Sequence, residues 1–400
     1  MEGRTVTLVL ASPQGALLGQ TAPFALDMPF WQEAHDVVRA AQERFGIRVT
    51  IVRLLTAERP QPPGGAVVYL AEVDEVPSAT ISAVPLELAR RAQEPSAHRA
   101  AWAAFGGHRA SLAWVRSVWA KAGAFRAQQH RTWNLSSLWH VHSGEQSAWL
   151  KQVPPFSAHE AAVLSWLMAA VPGVSPPVLA SDAASGRTLL EHVRGEDCYG
   201  AATELKARFA LVLHSIQLAS IGEVEALAQR GVPDRRGPRM AEHLRRQLQG
   251  YLAPVPRVTQ FLGDLEAYLR LVSECQLPDV LVHADFHAGN VRFDGSTSTI
   301  LDWGDSFLGH PGFDLLRLSE GCSDADSASL LQQWSARWRQ YRAGCNPERA
   351  VALLRALVPL RAAATYAHFV ANIEASEHPF HAPDVVTQLD LAERLLGGER

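Results

Sequence analysis

The chain is poor in lysine, in cysteine and in long apolar runs. Among its 400 residues, lysine occurs only as Lys121, Lys151 and Lys206. The four cysteines show no Cys-x-x-Cys spacing, so the pattern indicates neither a zinc site nor a disulfide framework. A formal net charge of -4 gives no basic footprint. We therefore expect neither a nucleic acid nor a membrane as partner.

Targeting signals are also missing from the sequence pattern. No apolar run approaches the eighteen or so residues that a membrane-spanning helix needs, and the first residues lack the basic stretch and apolar core of a signal peptide. We expect a cytoplasmic, reduced protein.

What the chain does contain is a concentrated polar segment, HADFHAGN, from His283 to Asn290, followed by Asp302 and a tryptophan. A carboxylate that can hold a hydroxyl, with an amide and a second carboxylate that can hold magnesium, is what phosphoryl transfer requires of a protein. Each residue alone could be a turn residue around an ordinary hairpin. Their combination, with two histidines interleaved, favours a site.

The residues between Asn290 and Asp302 form two short apolar-rich runs around Asp294-Gly-Ser, which predicts a β-hairpin. With a turn from Gly295 to Ser298, Val291 pairs with Asp302 and Asn290 with Trp303. Opposed residues lie roughly 5 Å apart, so Asn290 and Asp302 should meet at the open end. Both are hard oxygen ligands of the kind that Mg²⁺ uses beside substrate phosphates.

His-x-Asp-x-His-x-x-Asn followed by an apolar residue, Asp and Trp resembles the catalytic loop and metal segment of the aminoglycoside phosphotransferase and choline kinase family, which is similar to protein kinases in fold. The resemblance implies that Asp285 is the base that orients the acceptor hydroxyl and that Asn290 and Asp302 hold the metal. His283 and His287 would support the loop. Asp314, in the segment that follows, would be a structural cap or anchor.

A kinase of this kind needs a nucleotide-binding lobe upstream. Residues 133–141 and 146–151 predict two strands joined by a turn, and Lys151 lies near the end of the second strand. The resemblance makes Lys151 the lysine that pairs with the α- and β-phosphates, and Glu160, on a helix predicted over 157–170, its ion-pair partner. The alternatives are an exposed lysine at a strand end and a solvated acid in a helix first turn.

Two further nucleotide contacts follow from the resemblance. Strands are predicted at 176–180 and 188–195, and the second resembles the hinge between two lobes, where the backbone of Glu191, His192 and Val193 would hold the adenine edge. No Gly-x-Gly-x-x-Gly precedes Lys151. The turn contains Ser136 and Ser137 instead, which we take as candidates for the phosphate loop.

Beyond the hinge, apolar spacing of three and four residues predicts helices. They cover 204–218, 240–251, 258–277, 327–341, 347–373 and 383–396. Acidic residues just after the metal segment would favour a cationic acceptor. They are Asp305, Asp314, Glu320, Asp324 and Asp326.

The first hundred residues predict a separate α/β module. Strands are expected at 5–10, 16–19, 48–55 and 66–72, with a helix over 31–45, and a second helix is expected over 111–129. Residues 39–47 resemble the end of a Nudix box in which Ala40 and Arg44 replace metal-binding glutamates and the upstream glutamate position falls on Trp31. We expect a degenerate Nudix-like domain without hydrolase activity. An unrelated small α/β domain is the alternative.

These patterns together predict an α+β chain, with a two-lobed protein-kinase-like fold that has a small β-rich nucleotide lobe and a large helical lobe. The Nudix-like domain would occupy residues 1–107, the nucleotide lobe 108–194 and the catalytic lobe 195–400. The predicted function is Mg²⁺-dependent transfer of the γ-phosphate of ATP or GTP to a hydroxyl of a small-molecule acceptor. A nucleotide-binding pseudokinase and a Nudix-type hydrolase are the alternatives.

Overall fold

A computed structural model describes residues 3–75, 81–119 and 125–398. Its contacts divide the chain into two compact units. The first comprises Met1–Phe156, Leu179–His192 and Phe369–Pro383, and the second comprises Ser157–Val178, Val193–His368 and Asp384–Arg400. The predicted boundary near residue 107 lies inside the first unit and stays a prediction.

The N-terminal part of the first unit is a five-stranded sheet with helices packed on it. Its elements are β1 (Arg4–Ala11), β2 (Leu17–Gln20), β3 (Phe24–Leu26), α1 (His35–Phe45), β4 (Val49–Ala57), β5 (Gly65–Val73) and α2 (Leu86–Gln93). The strand order is β2-β1-β5-β4, with β3 paired to β1, and only the β1–β5 pair is parallel.

Strand β1 is buried on both faces because alternate side chains enter two different cores. Val6, Leu8 and Leu10 pack in the core that α1 covers, while Val9 and Ala11 pack in the core that α2 covers. The four predicted strands are all present. Strand β3 was not predicted, and α1 begins four residues later than expected.

A second five-stranded sheet follows in the same unit. It is preceded by α3 (Gly107–Val118) and consists of β6 (Phe125–Thr132), β7 (Ser137–Ser143), β8 (Gln146–Gln152), β9 (Val178–Asp182) and β10 (Arg187–Glu191), in the order β6-β7-β8-β10-β9. The helix predicted over 111–129 is therefore wrong from Phe125 onward, and its residues 120–124 lie outside the described residues. Gln129, which is buried, exchanges two hydrogen bonds with the backbone of Ile51, at 2.8 and 2.7 Å, and this tertiary contact fixes β6 as a strand.

The second unit is mainly helical around one large apolar core. Its elements in chain order are α4 (Glu160–Ala170), β11 (Glu196–Asp197), α5 (Thr203–Ser220), α6 (Val224–Gln229), α7 (Pro238–Leu248), α8 (Pro256–Gly263), α9 (Leu265–Ser273), β12 (Val280–Val282), β13 (Val291–Phe293), β14 (Ser298–Ile300), β15 (Phe307–Gly309), α10 (Gly312–Leu318), α11 (Asp324–Tyr341), α12 (Pro347–Leu354), α13 (Leu357–Asn372) and α14 (Ala382–Leu396). The last turn of α13, a 3₁₀ segment at Ala375–Phe380 and the start of α14 belong to the first unit.

Local signals account for several helix ends. Ser323 accepts a hydrogen bond from the backbone of Asp326 at the start of α11, and Asn346 accepts one from Arg349 at the start of α12. Two predicted helices are each broken in two. The helix predicted over 258–277 is interrupted after Gly263, a weak helix former, and α12 and α13 meet at a bend of 49°.

No single helix in the described part of the chain is long and apolar enough to cross a membrane. The bent pair α12 and α13 passes that test by length and composition, and its apolar residues Val351, Leu354, Leu357 and Leu360 are buried in the core of the second unit.

Candidate active site

The segment between β12 and β13 forms a tightly anchored loop in the second unit. His283 is fully buried, and its Nε2 lies 2.8 Å from the carbonyl oxygen of Leu301. Its ring packs against that of Trp303, with 4.6 Å between the centroids. The next residue, Ala284, has a φ of 74°, a left-handed conformation that L-residues rarely adopt. Such a conformation persists only where the surroundings hold it.

Asp314, at the start of α10, supplies that restraint. Its carboxylate, fully buried, accepts hydrogen bonds from the backbone of His283 at 3.0 Å and of Ala284 at 2.9 Å, and from Nε2 of Gln217 at 3.0 Å. Burial raises the pKa of Asp314. The residue therefore anchors the loop and is not exposed to a substrate.

Asp285 is the loop carboxylate that remains accessible, with 36 % of its side chain exposed. Its Oδ1 accepts from Nε of Arg317 at 2.8 Å, and its Oδ2 accepts from Nδ2 of Asn290 at 3.2 Å and lies 3.5 Å from Nε2 of His287. Burial works to raise the pKa of this carboxyl, but His287 and the Arg317 guanidinium outweigh it and hold the pKa well below its usual range. Asp285 is therefore ionised at neutral pH.

Asn290 completes the loop and leads into the hairpin. Its Nδ2 donates to the backbone carbonyl of Asp285 as well as to the side chain, which leaves Oδ1 as the amide's acceptor atom. The two residues are five positions apart in the sequence, and the structure places them in contact.

The predicted register of the hairpin is wrong by two residues. Val291 pairs with Ile300, and the backbone N–H of Leu301 donates to the carbonyl of Asn290 at 2.8 Å. Leu301 therefore lies opposite Asn290. Asp302 comes next, has a φ of 62° and is exposed to solvent.

Glu160, on α4, explains how Asp302 is turned outward. Its Oε1 accepts a hydrogen bond from the backbone of Trp303 at 3.0 Å, and both residues are buried. Trp303, which follows Asp302, is thereby hydrogen-bonded to α4. Leu301, which precedes Asp302, is hydrogen-bonded to Asn290. This contact was not predicted. Lys151 belongs to the first unit and Glu160 to the second, and the predicted pairing of the two stays a prediction.

The donor set at the hairpin end suits magnesium bound together with phosphates. Among the described residues, no group of three or more His, Cys, Asp and Glu side chains is arranged to hold a metal ion. One amide oxygen from Asn290 and one carboxylate from Asp302 are what Mg²⁺ takes from a protein when substrate phosphates and water complete its shell. These two residues could therefore hold a metal–nucleotide complex, and they would not form a metal site by themselves.

The predicted lysine lies on a face of the second sheet that carries aromatic and imidazole groups. Lys151 on β8 pairs with Leu138 and Thr188, and Trp149, two residues earlier, points to the same face. His140 stacks on Trp149 with 4.3 Å between centroids, and Nε1 of Trp149 donates to Nδ1 of His192 at 2.9 Å. Alternate residues of a strand share one face, so the patterns His140-x-His142 and Trp149-x-Lys151 indicate this face in the sequence. The prediction did not use them.

Among the predicted hinge residues, His192 thus contacts this face, and its backbone N–H donates to the carbonyl of Ser147 at 3.3 Å. Glu191 ends β10 opposite Ala148. Val193 is the first residue of the second unit, so the chain passes between units where the hinge was predicted.

The predicted phosphate loop is the turn between β6 and β7, and its side chains are already engaged. The hydroxyl of Ser136 accepts from Nε1 of Trp133 at 3.1 Å. Ser137 is buried, with its hydroxyl 3.4 Å from Nδ1 of His108. Any phosphate contact at this turn would therefore depend on backbone groups and on Ser136 more than on the Ser137 side chain.

A sequence model of the phosphotransferase enzyme family matches residues 128–349, more than half of the chain. The chain belongs to this family. The fold of this phosphotransferase is shared with an aminoglycoside 2′-phosphotransferase solved with GDP, at a TM-score of 0.51 and 14% identity over 72% of this chain and 98% of the other. It is also shared with an ethanolamine kinase of Plasmodium vivax, at a TM-score of 0.52 and 9% identity over 68% of this chain and 84% of the other.

The choline kinase LicA of Streptococcus pneumoniae matches this phosphotransferase at a TM-score of 0.50 and 12% identity, over 73% of this chain and 99% of the other. No curated protein matches the chain. The predicted family and its kinase-like fold are confirmed by these matches. The N-terminal sheet precedes the residues that the family model covers.

Proposed function

We propose that this phosphotransferase transfers the γ-phosphate of ATP or GTP to a hydroxyl of a small-molecule acceptor, with Mg²⁺ as cofactor. The observation that carries the proposal is the direct contact of Asp285 with Asn290. It places a carboxylate that can receive the hydroxyl proton beside the amide of the hairpin end that also bears Asp302.

In the proposed reaction Asp285 orients the acceptor hydroxyl through Oδ2 and receives its proton. The acceptor oxygen bonds to the γ-phosphorus while the bond to the bridging oxygen breaks, and ADP or GDP leaves. Asn290 and Asp302 would hold Mg²⁺, which would supply positive charge to the phosphates. Lys151 would pair with the α- and β-phosphates, and the backbone from Glu191 to Val193 would hold the base.

The decisive experiment compares Asp285→Ala with the wild-type protein in an assay of nucleotide consumption across sugars, amino sugars, amino alcohols and macrolides. We expect turnover to fall by about 10²- to 10⁴-fold, the usual contribution of a positioned base. Affinity for Mg-nucleotide should change little, since Asp285 is not a nucleotide ligand. Asp390→Asn, an exposed carboxylate on α14, is the matched control and should retain full activity.

Unchanged turnover in Asp285→Ala would remove Asp285 from the mechanism. Nucleotide binding without consumption on the whole acceptor panel would overturn the proposal and indicate a nucleotide-binding pseudokinase instead.

For the N-terminal sheet we propose a Nudix-like module without hydrolase activity. The positions where a Nudix box would carry carboxylates hold Trp31, which is buried and donates to the carbonyl of Gly64, Ala40, which is buried, and Arg44, which lies over the ring of Phe24. None of these can ligate a metal. Mg²⁺-dependent hydrolysis of nucleoside diphosphate derivatives by the Asp285→Ala protein would contradict this proposal.

A further inference from the structure

Among the described residues, the second unit contains a cluster of basic side chains in which two arginines make no ion pair. The basic cluster consists of Arg235, His243, Arg246, Arg361 and His368. Among the described residues, neither Arg235 nor Arg246 makes a side-chain hydrogen bond or an ion pair. Arg246 is exposed to solvent, whereas Arg235 is half-buried, so the missing partner is the less expected at Arg235.

Asp234, the acidic residue that precedes Arg235 in the sequence, makes no ion pair with it. Asp234 is occupied by two other arginines, accepting from Nε and Nη2 of Arg236 at 2.9 and 2.6 Å and from Arg239. Arg235 itself is half-buried, and burial followed by the charge of Arg246 lowers its pKa to about 10. The guanidinium groups of Arg235 and Arg246 repel each other, and the charge of Asp234 offsets this repulsion only in part.

Two buried polar atoms in the basic cluster lack a protein partner. His243 is 7 % exposed, and its Nδ1 makes no hydrogen bond. Nε of Arg361 is likewise buried without a partner. Other buried polar atoms of the described chain also lack a partner, but these two belong to one cluster of basic side chains, where their desolvation goes uncompensated. A bound group that accepts hydrogen bonds would compensate it.

The charges of the basic cluster converge on His243. Burial first, and then the charges of Arg235, Arg246, His368 and Arg361 in that order, lower its pKa to about 3. Helices α7 and α13, which carry four of the five residues, pack in the same apolar core through Leu244 and Leu360. The cluster is therefore one site in space.

The basic cluster also adjoins the catalytic loop. Nη2 of Arg361 donates to the carbonyl of Ala284 at 3.0 Å, and Asp285 is the next residue. On the other side, the backbone N–H of Arg235 donates to the carbonyl of Leu308 at 2.9 Å in β15, which pairs with β12 directly before the loop.

We propose that the basic cluster binds an anionic group, a phosphate or a carboxylate, on the acceptor. Uncompensated guanidinium groups in a partly buried site are stabilised by an anion, and their planar fork matches the oxygens of both groups. The inference rests on the proposed function and narrows it, because the acceptor becomes a hydroxyl compound that carries a negative charge.

This differs from the cationic acceptor expected from the acidic residues after the metal segment. Three of those five are used inside the protein. Asp314 anchors the loop, Glu320 pairs with Arg317, and Asp326 bonds the Ser323 cap of its own helix. They offer little charge to a cationic substrate.

Binding is tested first on the full-length protein, without nucleotide, by calorimetric titration with inorganic phosphate at constant ionic strength. We expect phosphate to bind and its Kd to weaken about tenfold or more in Arg235→Gln and Arg246→Gln, as for loss of one charge-assisted contact. Arg235→Lys should retain most of the binding. Arg355→Gln, an exposed arginine at the end of α12, should leave it unchanged.

Turnover is tested with matched acceptors: a neutral polyol, the same polyol with a terminal carboxylate and the same polyol with a terminal phosphate. We expect kcat/KM to favour at least one anionic form by about tenfold or more, and Arg235→Gln to reduce that ratio. The form preferred identifies the anion.

The inference would be overturned if all variants bound phosphate with the same Kd, or if kcat/KM were the same for neutral and anionic acceptors. Either result would leave the proposed function intact. Phosphate binding that depends on Arg235 and Arg246, with no nucleotide consumption on any acceptor, would support the anion site and overturn the proposed function instead.

Discussion

At the level of single residues, both oxygens of Asp285, the proposed base, have partners within the protein. Arg317 holds Oδ1 of Asp285, while Asn290 and His287 contact Oδ2. Of these contacts the Arg317 bond is the shortest and is charge-assisted, so it fixes the carboxylate's orientation. The longer contacts at Oδ2 leave that oxygen as the one a hydroxyl can approach. Arg317 is therefore a positioning residue for the base.

Arg317→Gln tests this assignment through the pH dependence of kcat/KM. The arginine lowers the pKa of Asp285, and the reaction needs the ionised carboxylate, so the wild-type protein should show no acid limb in its accessible pH range. Without the arginine, burial raises the pKa, and an acid limb should move upward by about one unit or more.

Glu320→Gln is the matched control, because it removes the second partner of Arg317 and leaves its contact with Asp285. Its profile should follow the wild type. Identical acid limbs in Arg317→Gln and the wild type would show that the arginine does not tune the base.

How much of this site could be predicted depends on sequence distance. Asp285 and Asn290 are five residues apart in one loop, so local spacing was enough to place them together. Arg317 and Glu160 come from α10 and α4, and each reaches the site through a tertiary contact. No periodicity or short motif in the sequence marks such a contact.

At the level of elements, alternation of apolar and polar residues located most strands but not their pairing. The β13–β14 register differs from the prediction because the turn is set by Asp294, whose Oδ1 accepts from the backbone of Ser296 and Thr297 at 2.9 and 2.7 Å. The turn closes one residue earlier than expected, and pairing moves by two. Strand β6 was missed because its polar sequence has little strand propensity.

The β6–β7 turn is held by a buried network within the first unit. Glu377 accepts from the backbone of Leu54 at 3.1 Å and from Nδ2 of Asn134 at 3.2 Å, and Oδ1 of Asn134 lies 2.8 Å from Nε2 of His381. Asn134 belongs to the turn that would bind phosphates. The 3₁₀ segment Ala375–Phe380 thus supports a predicted nucleotide contact from far along the chain.

Glu377→Ala should remove this support. The lost acceptor leaves a buried N–H and a buried amide unpaired, at a cost of about 2–3 kcal/mol in the free energy of unfolding, measurable by urea denaturation. If the turn binds phosphates, KM for the nucleotide should also rise several-fold with a smaller change in kcat.

Glu377→Gln provides the control. Burial raises the pKa of Glu377 to about 7, so the side chain is about half protonated at neutrality. Glutamine keeps one acceptor oxygen and replaces the other by a donor, so it should cost about 1–2 kcal/mol, less than alanine. Equal destabilisation by Ala and Gln would show that the hydrogen bonds of Glu377 are not what matters.

At the level of the whole molecule, the two compact units could not be predicted as successive ranges of the sequence, because each unit combines three separate ranges. The sequence predicted successive domains, whereas Phe369–Pro383, near the C-terminal end, belongs to the same compact unit as the N-terminal sheet. Arg99 and Glu374 show why: two hydrogen bonds of 2.9 Å, nearly buried, join residues from opposite ends of the sequence. Contacts of this kind carry no local signal.

Buried histidines occur in both units and should set the acid stability of the whole chain. Burial lowers the pKa of His108 to about 4 and those of His310 and His381 to about 3. The unfolded chain takes up protons on these groups below about pH 6.5, while the folded chain does not. Their destabilising effect is therefore absent above pH 6.5 and grows as the pH falls toward 4.

Glu377 has the opposite dependence, since its raised pKa makes stability fall as the pH rises from 4.5 to 7. It is one group against five, because burial also lowers the pKa of His214 to about 4 and that of His243 to about 3, and each group contributes up to about 1.4 kcal/mol per pH unit. The contribution of the histidines should therefore exceed that of Glu377, and the free energy of unfolding from urea titrations should decrease as the pH falls from 6.5 to 5.

His310→Asn is the sharpest test, because asparagine can still accept the hydrogen bond that Nδ1 takes from the backbone of Gly312 at 3.0 Å but does not titrate. The variant should lose part of the pH slope of the unfolding free energy below pH 6.5, about one fifth if the five buried histidines dominate. His98→Asn, at an exposed histidine, should leave the slope as it is. A wild-type slope in His310→Asn would mean that acid sensitivity arises elsewhere in the chain.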